Sequence, residues 1–179
     1  QRCLTIEASH GYQLIQDNLG NQILHFTLAD LPPYASRIVT IKADLEVSDR
    51  PNLLPVKDLE RFLKAEKYFE HKDPAIARFA NRFREAETVR TAERIFHGVA
   101  GHIRYTGYTA RDLGARFALK RKQGDCTEFM YLFAAACRAC GIPARGMGGY
   151  ICLEDKILKP NDHHNWAEFY LDKAWRTAD

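Results

Sequence analysis

Cys126 lies in Gly124-Asp125-Cys126-Thr127-Glu128, just ahead of an apolar run that closes at Gly141-Ile142-Pro143, and His164 and Asp179 follow in that order. A thiol, an imidazole and a carboxylate are the three groups a cysteine nucleophile needs for acyl transfer. A free cysteine has a pKa near about 8.5 and is only a few per cent thiolate at neutral pH, so a catalytic one needs a device that ionises it. The first turn of a helix is such a device: its unpaired N–H groups and the positive end of its dipole favour the thiolate, and a nearby imidazolium favours it further. Asp125 acts in the opposite sense unless its carboxylate is turned onto the helix N–H groups as a cap. In this chemistry Cys126 attacks an amide carbonyl, His164 protonates the leaving amine, and Asp179 holds the imidazole while water or an amine releases the acyl group. The backbone N–H of Cys126 is the natural oxyanion donor.

The elements that must position these groups are legible on either side. Asp125 and Glu128 have capping-box spacing, and Gly141 followed by Pro143 is a helix exit, so a helix is expected over residues 126–139. Phe129, Met130, Phe133, Ala136, Cys137 and Cys140 form its inner face. Residues 144–153, 165–171 and 174–178 read as strands. If Asp172-Lys173 is a two-residue hairpin turn, Leu171 faces Ala174, Phe169 faces Arg176 and Trp166 faces Asp179. His164 then shares a sheet face with Asp179 as its diagonal neighbour, and His163 faces away.

Upstream, Asp73-Pro74 marks a helix start, with Ile76, Phe79, Ala80 and Phe83 on one face. A second helix is expected from about Thr88, with Ala92, Ile95, Phe96 and Val99 inward, and a third over residues 110–122. Residues 59–69 have a weaker helical pattern. The first fifty residues favour strands, at 4–8, 12–16, 22–28 and 37–47, with a turn at Asn18-Leu19-Gly20-Asn21. Alternation through Val39, Ile41, Ala43 and Leu45 predicts one buried sheet face. Ser48-Asp49-Arg50-Pro51-Asn52 is a polar link. The domain reading is therefore a partial β-rich module at 1–50 and a catalytic core at 51–179.

Composition narrows the function classes. The 26 basic and 23 acidic residues, giving a net charge of +3, are mixed along the chain and point to no nucleic-acid partner. The densest basic stretch, 116–122, reads as a solvated helix face. No run approaches the ~18 apolar residues of a membrane span, so no membrane partner is expected either. Five cysteines are too few for a disulfide scaffold, which fits a reducing compartment and a cytoplasmic location. The start at Gln1-Arg2-Cys3 is no signal peptide, and the absence of an initial Met is compatible with a removed leader or longer N-terminal portion.

Four linked segments carry a resemblance: Gly124-Asp125-Cys126-Thr127-Glu128; Cys137-Arg138-Ala139-Cys140-Gly141-Ile142-Pro143-Ala144-Arg145 with Gly149-Tyr150; His164-Asn165-Trp166-Ala167-Glu168; and Trp175-Arg176-Thr177-Ala178-Asp179. Together they resemble the core of the transglutaminase-like superfamily of cysteine proteases and acyltransferases, over roughly residues 51–179. The resemblance implies an α+β, papain-like core. In it a helix bundle, with the catalytic cysteine at a helix N-terminus, packs on an antiparallel sheet, preceded here by a small β-strand region. It also implies a Cys126, His164, Asp179 triad, a peptide or protein amide substrate and no required cofactor. The His-x-Trp-x-Glu spacing selects His164 over His163. The match ends at its acidic residue where members generally continue, so the core is expected to be truncated at its C-terminus.

The superfamily holds peptidases, amidases, protein crosslinkers and members without activity, so the reaction stays open between hydrolysis and transfer to an amine. Hydrolysis is the default, because a transferase must exclude water at ~55 M and no residues mark an amine channel. Cys137-Arg138-Ala139-Cys140 with His163-His164 is a formal zinc alternative, but both cysteines fall on the inner face of a helix, where small apolar packing explains them, and no metal is expected. A non-catalytic interaction module that keeps the fold is the remaining rival. Oligomeric state is not legible.

Overall fold

The computed structural model describes residues 2–46 and 58–179. The chain divides into two compact units, Gln1–Arg50 and Pro51–Asp179. The polar link expected at 48–52 lies outside the described residues.

In the first unit β1 (Arg2–Ala8) pairs antiparallel with β4 (Ile41–Glu46), with a register shift between Cys3 and Thr5. A separate hairpin pairs β2 (Gln13–Gln16) with β3 (Gln22–His25). Its turn is organised by Asp17, whose carboxylate accepts the N–H groups of Leu19 and Asn21, and by Gly20 at φ 86°. The expected single buried face is not formed. Leu4, Leu14, Ile15, Ile41 and Leu45 are all exposed, because the described residues of this unit form two separate two-stranded ribbons and no second layer of their own.

The second unit is built around one helix. α1 (Pro74–Asn81) begins where Asp73 accepts the N–H of Ala75 at 2.8 Å, with Pro74 in its first turn. α2 (Thr88–Ala100) follows, then the two-residue β5 (Arg104–Tyr105), α3 (Ala115–Arg121), the two-residue β6 (Gln123–Gly124) and α4 (Cys126–Ala139). Ile76 and Phe79 of α1, Ala92, Ile95 and Val99 of α2, and Leu132, Ala135 and Ala136 of α4 meet in one core. Each large aliphatic or aromatic side chain buried there contributes on the order of 1.5–3 kcal/mol.

α4 ends in a Schellman motif. Gly141, at φ 81°, sends its N–H to the Arg138 carbonyl and Ile142 sends its own to the Cys137 carbonyl. The chain then returns as an antiparallel meander of β7 (Ala144–Tyr150), β8 (His163–Leu171) and β9 (Ala174–Ala178), with β8 in the middle. Ala144 and Ala167 are fully buried against α4.

Two helix expectations are corrected. Residues 59–69 form only a short 3-10 turn, Leu59–Leu63. Lys64 is extended, its carbonyl accepts the buried Arg138 Nη1 at 2.7 Å, and Tyr68 has φ 74°, so a tertiary bond takes the acceptor a longer helix would need. The third helix begins at Ala115, not near 110. The N–H groups of Thr109 and Leu113 are taken by the side chains of Asp125 and Glu128, and Gly114 at φ 86° breaks the helical path.

Candidate active site

The start of α4 is built from two buried carboxyl groups. Asp125 is extended and caps the helix, its Oδ1 accepting the Thr127 N–H at 2.9 Å and its Oδ2 the Thr109 N–H at 2.8 Å. Its charge is thus turned onto backbone donors. Glu128 completes the capping box: its Oε2 accepts the Asp125 N–H at 3.2 Å and its Oε1 the Leu113 N–H at 3.0 Å. Burial raises the pKa of Glu128, and the adjacent Asp125 carboxylate adds to the rise against the pull of the two N–H donors. Gly124 is required here, since a Cβ would stand 2.3 Å from that of Glu128.

The β8–β9 hairpin closes through Asp172 and Lys173, both with positive φ, as a two-residue primed turn demands. The register sets Leu171 opposite Ala174, Phe169 opposite Arg176 and Ala167 opposite Ala178. His164 Nε2 lies 2.6 Å from Asp179 Oδ1. A carboxylate only accepts, so Nε2 carries the hydrogen and Nδ1 is left as the free basic nitrogen of the ring. The Trp166 ring stacks on that of His164, with centroids 6.4 Å apart. On β7, Gly149 stands opposite His164, and a Cβ there would be 2.9 Å from the Trp166 ring. His163 instead meets the Tyr150 ring edge-on at 5.5 Å.

Cys126, His164 and Asp179 all line one cavity of about 320 Å³. Cys126 is half-buried, and among the described residues its thiol has no hydrogen-bond partner. The sequence alone did not single out Asn165 and Thr127, whose side chains form a hydrogen bond of 2.9 Å, Asn165 Nδ2 donating to Thr127 Oγ1. The only trace in the sequence is adjacency, since each follows a predicted site residue. Tyr105 reaches the cavity because β5 and β6 pair in parallel, placing it opposite Gly124.

A family model described as the transglutaminase-like superfamily matches residues 77–179, more than half of the chain. The chain belongs to the transglutaminase-like superfamily. Among solved structures, this transglutaminase-like chain is similar to one from Cytophaga hutchinsonii named a putative cysteine protease, with a TM-score of 0.68 and 19% identity, over 99% of this chain and 65% of that one. It is also similar to the periplasmic domain of TgpA from Pseudomonas aeruginosa, with a TM-score of 0.52 and 23% identity, over 69% of this chain and 48% of that one. At these identities the likeness is one of fold, and the chain spans less than two thirds of either. No curated protein matches it significantly.

Two further cysteines of this transglutaminase-like core lie at the C-terminal end of α4. Cys137 is fully buried in α4 and burial pushes its thiol well up; Cys140, half-buried, is raised by the same cause. Among the described residues no three His, Cys, Asp or Glu side chains are grouped to hold a metal ion.

Proposed function

We propose that this transglutaminase-like chain is a thiol hydrolase, a peptidase or amidase acting on peptide or protein amides through Cys126, His164 and Asp179. The observation that carries the reading is the 2.6 Å bond between His164 Nε2 and Asp179 Oδ1 in the cavity that Cys126 lines. Asp179 fixes the tautomer, which leaves Nδ1 to exchange a proton with the thiol.

In the proposed cycle His164 Nδ1 takes the Cys126 proton, and Sγ adds to the amide carbonyl carbon as the C=O pair moves onto oxygen. The developing oxyanion accepts the backbone N–H of Cys126. Collapse of the adduct breaks the C–N bond, and the imidazolium gives its proton to the leaving amine. Water, deprotonated by the same nitrogen, then attacks the thioester carbon; the C–S bond breaks, the acid leaves and the thiol regains its proton. Three local features of the chain support this cycle: the capped start of α4, the primed turn at Asp172-Lys173, and Gly149 of β7, which makes room for Trp166 beside the ring.

The test is to incubate the protein with a peptide that contains both Phe and Gln and an amine donor and to weigh the products, with Cys126→Ala as control. Hydrolysis gives a free acid and no amine adduct. A product dominated by the amine adduct would move the reading to acyl transfer, and product formation undiminished in Cys126→Ala would end it.

A further inference from the structure

Cys126, Phe129, Met130 and Phe133 fall at i, i+3, i+4 and i+7 on α4, and all four line the 320 Å³ cavity. The cavity wall therefore runs along the helix for about 10 Å from the thiol. Phe96 and Val99 of α2 also line it, and Ala178 of β9 adds to the wall. The polar side chains at this cavity are mostly spoken for: His164 and Asp179 hold each other, and the Asn165 amide donates to Thr127.

We propose that this wall is the acyl-side specificity pocket, and that it selects an amide whose acyl residue carries a large apolar side chain, leucine to phenylalanine in size. The inference rests on the proposed role of Cys126 as nucleophile. The volume exceeds the ~150 Å³ that holds a benzene ring and falls at the small end of ligand pockets. A glutamine or lysine side chain directed along the same wall would lose its hydration without finding partners among Phe96, Phe129 and Phe133. A glycine would leave the wall uncovered.

The experiment uses alkylation of Cys126, read by peptide mass mapping, by iodoacetamide and by the chloromethyl ketones of N-acetyl-phenylalanine, N-acetyl-leucine, N-acetyl-glycine and N-acetyl-glutamine. In each ketone Sγ displaces chloride from the methylene carbon, the thiol proton passing to His164. The phenylalanine and leucine reagents are expected to react at least about tenfold faster than the glycine and glutamine reagents, as a filled apolar pocket discriminates. In Ala100→Phe, a change at the exposed end of α2 where it meets the cavity, that ratio is expected to fall towards one. Rapid labelling by iodoacetamide with a ketone ratio below about tenfold overturns the pocket and leaves the nucleophile standing. Labelling of Cys126 by every reagent no faster than the exposed Cys152 overturns both.

Discussion

Asn165 joins the strand of His164 to the helix of Cys126 by donating its side-chain N–H to Thr127 Oγ1 at 2.9 Å. Each partner directly follows one of the two groups that exchange a proton in the proposed cycle, so the bond ties the start of the helix that carries the thiol to the strand that carries the imidazole. Thr127→Val keeps the shape and removes the acceptor. Loss of such a part-buried bond costs about 1–3 kcal/mol of stability, and a displacement of about 1 Å at the reacting groups lowers kcat/KM on the order of a hundredfold. Thr127→Ser is expected to restore most of the rate, which separates positioning from simple loss of packing when kcat/KM and Tm are measured on both variants.

Glu128 gives the fold a signed pH dependence. Its folded pKa is raised above the ordinary 4.5, so the native state retains a proton that the unfolded chain has released. Its contribution to stability is complete below that ordinary value and is lost as the pH rises through the raised one. Glu128→Gln should lower the Tm overall, because one of the two N–H groups from Asp125 and Leu113 then meets an amide N–H; the expected cost is about 1–3 kcal/mol. The same variant should show a flatter Tm against pH above 4.5 than the parent chain, as measured by thermal unfolding in a buffer series.

Gly98 reverses an ordinary rule. Glycine to alanine inside a helix usually stabilises by about 1 kcal/mol. At this position in α2 a Cβ would lie 2.3 Å from the Phe83 ring, which is packed edge-on against Phe79. Gly98→Ala is expected to destabilise by about 1–3 kcal/mol through overpacking, while the combined Gly98→Ala, Phe83→Leu chain recovers part of the loss; urea unfolding of the three chains measures it.

The five thiols should separate into classes under iodoacetamide at neutral pH. Cys137, fully buried with its pKa pushed well up, is expected to stay unlabelled in the folded chain and to label on unfolding. Cys126, at a capped helix start, is expected to label faster than the exposed Cys3 and Cys152. Time-resolved peptide mapping reads all five at once.

A cross-strand pair on the sheet makes the last prediction. Arg145 Nε and Nη2 both donate to Glu168 Oε2, at 2.8 and 2.6 Å, and the guanidinium lies 4.0 Å from the centre of the Trp175 ring. Glu168→Ala would leave that largely buried cation without its anion. The expected loss is about 3–5 kcal/mol in denaturant unfolding, larger than an exposed pair would give.

Much of this was legible because it is local. The cap at Asp125, the exit at Gly141 and the two-residue turn at Asp172-Lys173 depend on residues a few positions apart, and the helix and hairpin bounds follow from them. Parity then places His164 and Asp179 on one face, where they form a hydrogen bond. The misread segments were decided from a distance. The helix pattern in residues 59–69 yields to Arg138, and residues 109–114 stay irregular because Asp125 and Glu128 draw in their N–H groups. The Asn165–Thr127 bond joins helix to strand, and no periodicity announces it. In the first unit, alternation was present but two ribbons gave it no layer to bury against.

The hydrogen bond between His164 and Asp179 spans 15 residues of chain and that between Asn165 and Thr127 spans 38. The first is closed within a single hairpin, a unit that forms on a microsecond scale without help from distant segments. The second exists only while α4 is seated on the sheet. In the cycle proposed above, a partial opening that lifts the start of α4 therefore breaks the helix-to-strand bond and leaves the ring with its carboxylate, so the thiol is withdrawn from its proposed base before the strands melt.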